Sequence, residues 1–187
     1  MQCLGPAAKR AFFITFGTMT ATMTREQQEQ EQKARLDSMC WRFLYRLAID
    51  HEIVEWSYGQ FNEPKELCME CRSRMKELGW GSEHISPEEL REAIEDELRE
   101  EPLSVMVGTD EWFRVGEALE PNKFELLIST GGPAMRVVGS LCRHGVASDA
   151  VVQWQDWFKP WTEYNNEQEA LQEALEWFCN LFYFGDC

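Results

Sequence analysis

Positive charge is what this sequence has little of: 18 Lys and Arg stand against 33 Asp and Glu over 187 residues, a formal net charge of −15. That balance repels a phosphate backbone. It argues against direct nucleic-acid binding and favours a basic partner, such as a protein that itself grips DNA or RNA. Histidine is scarcer still. His51, His84 and His144 are dispersed, and no nucleophile–base pair or paired-carboxylate motif stands beside them, so no enzyme is expected. No apolar run is long enough to span a membrane, and neither an internal repeat nor a low-complexity linker breaks the chain. The length suits one domain, or one domain with a helical extension.

A disulfide framework is missing too. The seven cysteines (Cys3, Cys40, Cys68, Cys71, Cys142, Cys179, Cys187) are odd in number and scattered, which fits reduced thiols in a cytoplasm better than a secreted scaffold. Only Cys68 and Cys71, in "CMEC", are close together. Zinc wants four ligands. Cys40, His51, His84, Cys142 and His144 could add to the pair, but none stands at a recognisable spacing. A thioredoxin-like pair follows a strand at a helix N-terminus, whereas this one reads as lying inside a helix with Leu67 and Met75. The expectation is ordinary thiols, with no metal and no cofactor. A metal- or redox-dependent protein built on Cys68 and Cys71 is the alternative.

Aromatics are abundant, with eight Trp and eleven Phe, and a chain carrying them needs a core or partner surfaces. Residues 1–23 hold Lys9 and Arg10 followed by a mostly apolar stretch diluted by Gly17 and four threonines. The preferred reading is a tail outside the native fold, with the working protein beginning near Met19 or Met23. A signal peptide and an N-terminal strand are the other two readings.

The pattern predicts an α+β fold: N-terminal helices, then an antiparallel β-meander and a closing C-terminal helix. Residues 24–101 form the helical acidic region, and 102–187 the meander and last helix, in one compact unit. From Thr24, Leu36, Cys40, Phe43, Leu44 and Leu47 fall on one helical stripe. A second helix is expected from Pro64 to Gly79, burying Leu67, Cys71, Met75 and Leu78. A third opens with Ser86 as N-cap, Pro87 at its first position and Glu89 closing a capping box; Pro102 ends it. Then the period changes to two. "KFELLIST", "AMRVVGSL" and "AVVQWQDWF" read as three strands, and "LSVMVG" and "EWFRVG" can add to them. "STGGP" reads as a hairpin turn. It lacks the Lys and the following helix of a phosphate loop. The closing helix carries Leu171, Leu175, Phe178 and Phe182, with Gly185 just beyond its end.

Two constellations stand out. From Glu77 to Glu120 there are fourteen acids and only three bases, so −11 of the net charge lies in that stretch. Its centre is "SPEELREAIEDELREE", Ser86 to Glu101, half of it acidic. With Leu90, Ile94 and Leu98 inward, Glu88, Glu92, Glu95, Asp96 and Glu100 lie outside the stripe. Carboxylates one turn apart are about 5–6 Å from each other, so the row can stand in for a nucleic-acid backbone before a Lys/Arg groove. Glu89, Asp110 and Glu111 extend the candidate surface, and a merely solvated face is the plainer explanation. The other constellation is "WQDWFKPWTEY", Trp154 to Tyr164. Here Trp157 and Trp161 are the candidate interface residues, against a strand end packed on the last helix.

"KFELLISTGGPAMRVVGSL", "WQDWFKPWTEY" and "FCNLFYFG" together resemble a C-terminal pattern of small proteins from phages, plasmids and integrated elements, over roughly the last 65 residues. Acidic proteins of that origin resemble inhibitors of host defence, anti-CRISPR proteins among them. The resemblance implies a bacterial cytoplasm as setting and a CRISPR effector subunit as partner, type I favoured. It carries over no functional residue. An acidic adaptor that neutralises some other basic partner meets the same sequence requirements.

Overall fold

Thr24 accepts the backbone N–H of Gln27 (3.3 Å), and the Gln27 side chain takes the Thr24 N–H (2.9 Å), so a capping box starts helix α1, Arg25–Tyr58. In the computed structural model the described residues are 24–59, 67–81, 85–110, 114, 120–142 and 145–185. The readings of residues 1–23 and most of "EWFRVG" lie outside them. The 34 residues of α1 span about 51 Å, at 1.5 Å per residue. Its first turns are exposed, and burial begins at Leu36, continuing through Cys40, Phe43, Leu44 and Leu47.

Helix α2 is Met69–Glu77 and α3 is Pro87–Arg99. The α3 N-terminus is built as its sequence dictates: Ser86 accepts from the Glu89 N–H (3.2 Å), and Glu89 takes the Ser86 N–H (2.7 Å). Both α2 and α3 lie on α1. The α2 start departs from the sequence reading. Leu67 and Cys68 are not helical, and Cys68 is the N-cap rather than an interior residue.

Five strands follow in a meander, β1 (Ser104–Gly108), β2 (Lys123–Ser129), β3 (Ala134–Leu141), β4 (Ala147–Gln155) and β5 (Thr162–Glu163), each antiparallel to the next. The closing helix α4 is Glu169–Cys179. The fold class is therefore α+β, helices first.

One face of the sheet meets the α1–α4 layer, where Phe43 and Phe178 pack edge to face at 5.7 Å. The register aligns Val105, Leu126, Val137 and Val152 across four strands. Leu126, Val137 and Val152 are buried, whereas Val105 is 44% exposed, so the helices cover β2 to β4 and leave the edge strand out.

Helix α4 is shorter than the periodicity predicts. The Asn180 side chain accepts the Ala147 N–H (3.0 Å) and donates to the Ala147 carbonyl (3.3 Å). The chain is thereby tied to the start of β4 instead of continuing the helix. Phe182 and Phe184 then reach the core from an irregular tail, ring against ring with Phe178 and Phe124.

Candidate functional site

Leu90, Ile94 and Leu98 are each 0% exposed, and burying such side chains stabilises by roughly 1.5–3 kcal/mol apiece. Like-charge pairs one turn apart on a helix cost only a few tenths of a kcal/mol. Packing therefore outweighs repulsion several-fold, and α3 can carry its excess charge.

The charge is not spread evenly over that helix. Arg99 reaches both Glu95 and Asp96 at 2.8 Å. Arg74 of α2 binds Glu97 at 2.8 Å, and Glu89 is engaged in the cap, which holds its carboxyl below the usual range. The side chains of Glu88, Glu92 and Glu100 have no hydrogen bond or ion pair among the described residues, and all three are exposed. At about 100° per residue they fall within about 120° of one another around the axis. The structure thus reduces the continuous acidic row read from sequence to three available carboxylates. Asp110 lies beyond β1 in an ion pair with Lys123, and Glu111 is outside the described residues.

Beneath α3 lies a polar junction of three helices. Asp50 of α1, fully buried, accepts from Arg74 (3.0 Å), and Arg46 bridges toward Asp50 (3.8 Å) and Glu101 (2.9 Å). Burial pushes the Asp50 carboxyl up despite Arg74 beside it. The junction fixes where α3 sits on α1, and nothing in the local sequence pattern announces it.

The second candidate surface is the turn after β4. Trp154 faces the core, Trp157 is 62% exposed, and Phe158 is 99% exposed at a φ of +59°. Trp157 rests on Gly132 of the β2–β3 turn. Trp161 is half-buried, its ring covered at 4.1 Å by the Arg136 guanidinium, which also binds Gln153 and Glu125. Trp161 is thus held by the sheet, and Phe158, which sequence reasoning passed over, is the freer ring.

The two surfaces are far apart. Asp156, next to Trp157, accepts from Gln32 near the start of α1 (2.8 Å), whereas Arg91 of α3 stacks on Tyr58 at its end (4.8 Å). Twenty-six residues separate those two α1 positions, about 39 Å of helix.

The thiol pair is the third feature. Cys68 and Cys71 bring their sulfurs to 3.0 Å, and Glu52 of α1 stands 3.4 Å from the Cys71 sulfur. These three ligand atoms lie within 4.8 Å of one another, the one such cluster of metal-ligating groups among the described residues. Glu52 precedes the pair by 16 and 19 positions, and no motif connects them in sequence.

Fold and sites together define an α+β protein with an acidic helix, an exposed aromatic turn and a helix-capping dithiol. No family model, curated protein or solved structure matches this chain.

Proposed function

We propose that this chain is a non-catalytic inhibitor that binds a basic, nucleic-acid-handling protein through α3. The resemblance of its last 65 residues to phage and mobile-element proteins makes an anti-CRISPR role the specific form of that reading. In it, the acidic face occupies the groove with which a CRISPR effector complex grips target DNA. The observation that carries the reading is the rigid display of Glu88, Glu92 and Glu100 above three fully buried anchors. Such a surface keeps its charges in place when a Lys/Arg groove closes over it, which lowers the ordering cost of association.

A gel shift of target DNA by a purified type I effector complex tests this, with and without the protein. Loss of the shifted band at near-stoichiometric inhibitor is expected, with recovery in the Glu88→Lys, Glu92→Lys, Glu100→Lys variant. An unchanged band with wild type overturns the DNA-blocking role in that system.

Phe158 favours a second reading. A fully exposed aromatic at positive φ, beside Trp157, is an uncommon surface feature, and Trp and Phe are enriched at interface centres. If inhibition survives the charge reversals but not Trp157→Ala with Phe158→Ala, the aromatic turn is the interface.

A further inference from the structure

The helix expected to enclose "CMEC" instead begins there. Cys68 is the N-cap of α2 and Cys71 lies one turn in, so the spacing that sequence alone made inconspicuous puts both sulfurs together at a helix start. Cys68 is half-buried and its sulfur accepts the Cys71 backbone N–H (3.3 Å). Cys68 is also the more accessible sulfur of the pair. Cys71 is 0% exposed. Its thiol faces the Cys68 sulfur, the Ile49 carbonyl (4.0 Å) and the Glu52 carboxylate (3.4 Å). Beside the pair lies a cleft of about 340 Å³, lined by Met69 and Glu70, the two residues between the cysteines, and by Ile49, Arg46 and Arg74.

We infer that Cys68 and Cys71 form a thiol–disulfide exchange site, with Cys68 as the attacking sulfur, Cys71 as the resolving one and Glu52 as the acceptor of the Cys71 proton. The ligand count, not the distance, separates this from a structural zinc site, which takes four protein ligands where this cluster offers three. Two sulfurs bound to a tetrahedral zinc at about 2.3 Å stand roughly 3.7 Å apart, so the 3.0 Å pair would have to spread. A disulfide, at about 2.05 Å, needs it to close by roughly 1 Å.

The substrate class is a disulfide, R–S–S–R′. The Cys68 thiolate attacks one sulfur; the S–S bond breaks, R′S⁻ leaves and is protonated from solvent. Cys71 then gives its proton to Glu52 and attacks the Cys68 sulfur. The mixed disulfide breaks, RS⁻ departs and takes up a proton, and Cys68–Cys71 is left oxidised. Two protein thiols have lost two electrons and two protons, and the substrate disulfide has become two thiols. Burial raises the Cys71 thiol, as does hydrogen bonding to Cys68 and the nearby Glu52 charge, which keeps this sulfur protonated until the mixed disulfide forms.

The test uses the full chain equilibrated over a range of reduced to oxidised glutathione, then quenched, alkylated and digested with trypsin. Both cysteines fall in one peptide, 66–72. The expected result is conversion of that peptide from two alkylated thiols to an internal disulfide, two hydrogens lighter than the free dithiol peptide and resistant to alkylation. Cys71→Ser should leave Cys68 trapped as a mixed disulfide with glutathione, and Cys68→Ser should leave Cys71 unmodified. With reduced protein, Cys68 should be alkylated at least about tenfold faster than Cys71. Faster reduction of insulin's interchain disulfides than of oxidised glutathione would assign protein substrates, and the reverse order small ones. A 66–72 peptide that stays doubly alkylated at every ratio overturns the inference. So does zinc bound one-to-one that protects both thiols from oxidation.

Discussion

Gly132 lies directly beneath the Trp157 indole: a methyl group on its α-carbon would fall 1.6 Å from the ring nitrogen. No side chain fits there without moving the ring, so the glycine of the β2–β3 turn decides where the aromatic turn after β4 stands. Gly132→Ala is therefore expected to displace Trp157 and to cost about 1–3 kcal/mol, as overpacking does. Urea unfolding reads the loss. In fluorotryptophan-labelled protein, the ¹⁹F resonance assigned to Trp157 by Trp157→Phe should move. The resonance of Trp177, in the α1–α4 layer, should not.

Arg99 holds two carboxylates of α3. Arg99→Gln releases both and loses a bond to the Leu181 carbonyl, with a stability change of about 1 kcal/mol because Arg99 and Asp96 are exposed and only Glu95 is mostly covered. If α3 is the interface, this variant should bind the basic partner faster at low salt and lose the advantage near 1 M salt, where screening reaches about 3 Å. Association rates unchanged at low salt would remove α3 from the interface.

Asp50 is the buried charge of the three-helix junction. Asp50→Ala takes from Arg74 its buried partner, leaving it the more exposed Glu97 and Glu77, and is expected to cost about 3 kcal/mol in urea or thermal unfolding. Replacing Asp50 and Arg74 together with apolar residues should recover much of that. The double-mutant cycle separates the pair from the burial of each member.

His51 packs against Trp177 with ring centres 5.1 Å apart and planes tilted by 37°, and burial lowers its pKa from the ordinary value near 6.5, partly opposed by Glu55 and Glu173. The folded state then binds fewer protons than the unfolded chain as pH falls through that region. The contribution of neutral His51 is present above about pH 6.5 and is lost as pH falls through the folded pKa. His51→Gln should flatten that segment of the stability profile relative to wild type. An NMR titration should place the imidazole midpoint below 6.5.

Much of this architecture is legible one segment at a time. The Ser86–Glu89 capping box, the Leu90, Ile94 and Leu98 stripe and the alternation of Phe124, Leu126 and Ile128 all rest on interactions within a few residues, and a local pattern suffices to find them. The α2 start departs through a local cap at Cys68, but at the end of α4 a distant partner intervenes. Helix α4 ends early because Asn180 finds Ala147, 33 residues back. Most of the charge reading lay within reach as well, since Arg99 is one turn from both Glu95 and Asp96. Its consequence, three available carboxylates instead of a full row, needed the side-chain geometry.

The sequence by itself determined the α+β class, the positions of most helices and strands, and the concentration of acid on one helix, because periodicity and capping are short-range. Only the tertiary structure decided that the acidic helix lies along the C-terminal half of α1 and the aromatic turn near its start. It alone brought Glu52 to the Cys68–Cys71 pair. Both outcomes depend on how helices dock, through burial and through junctions such as Asp50 with Arg74, and docking joins residues whose separation along the chain carries no signal.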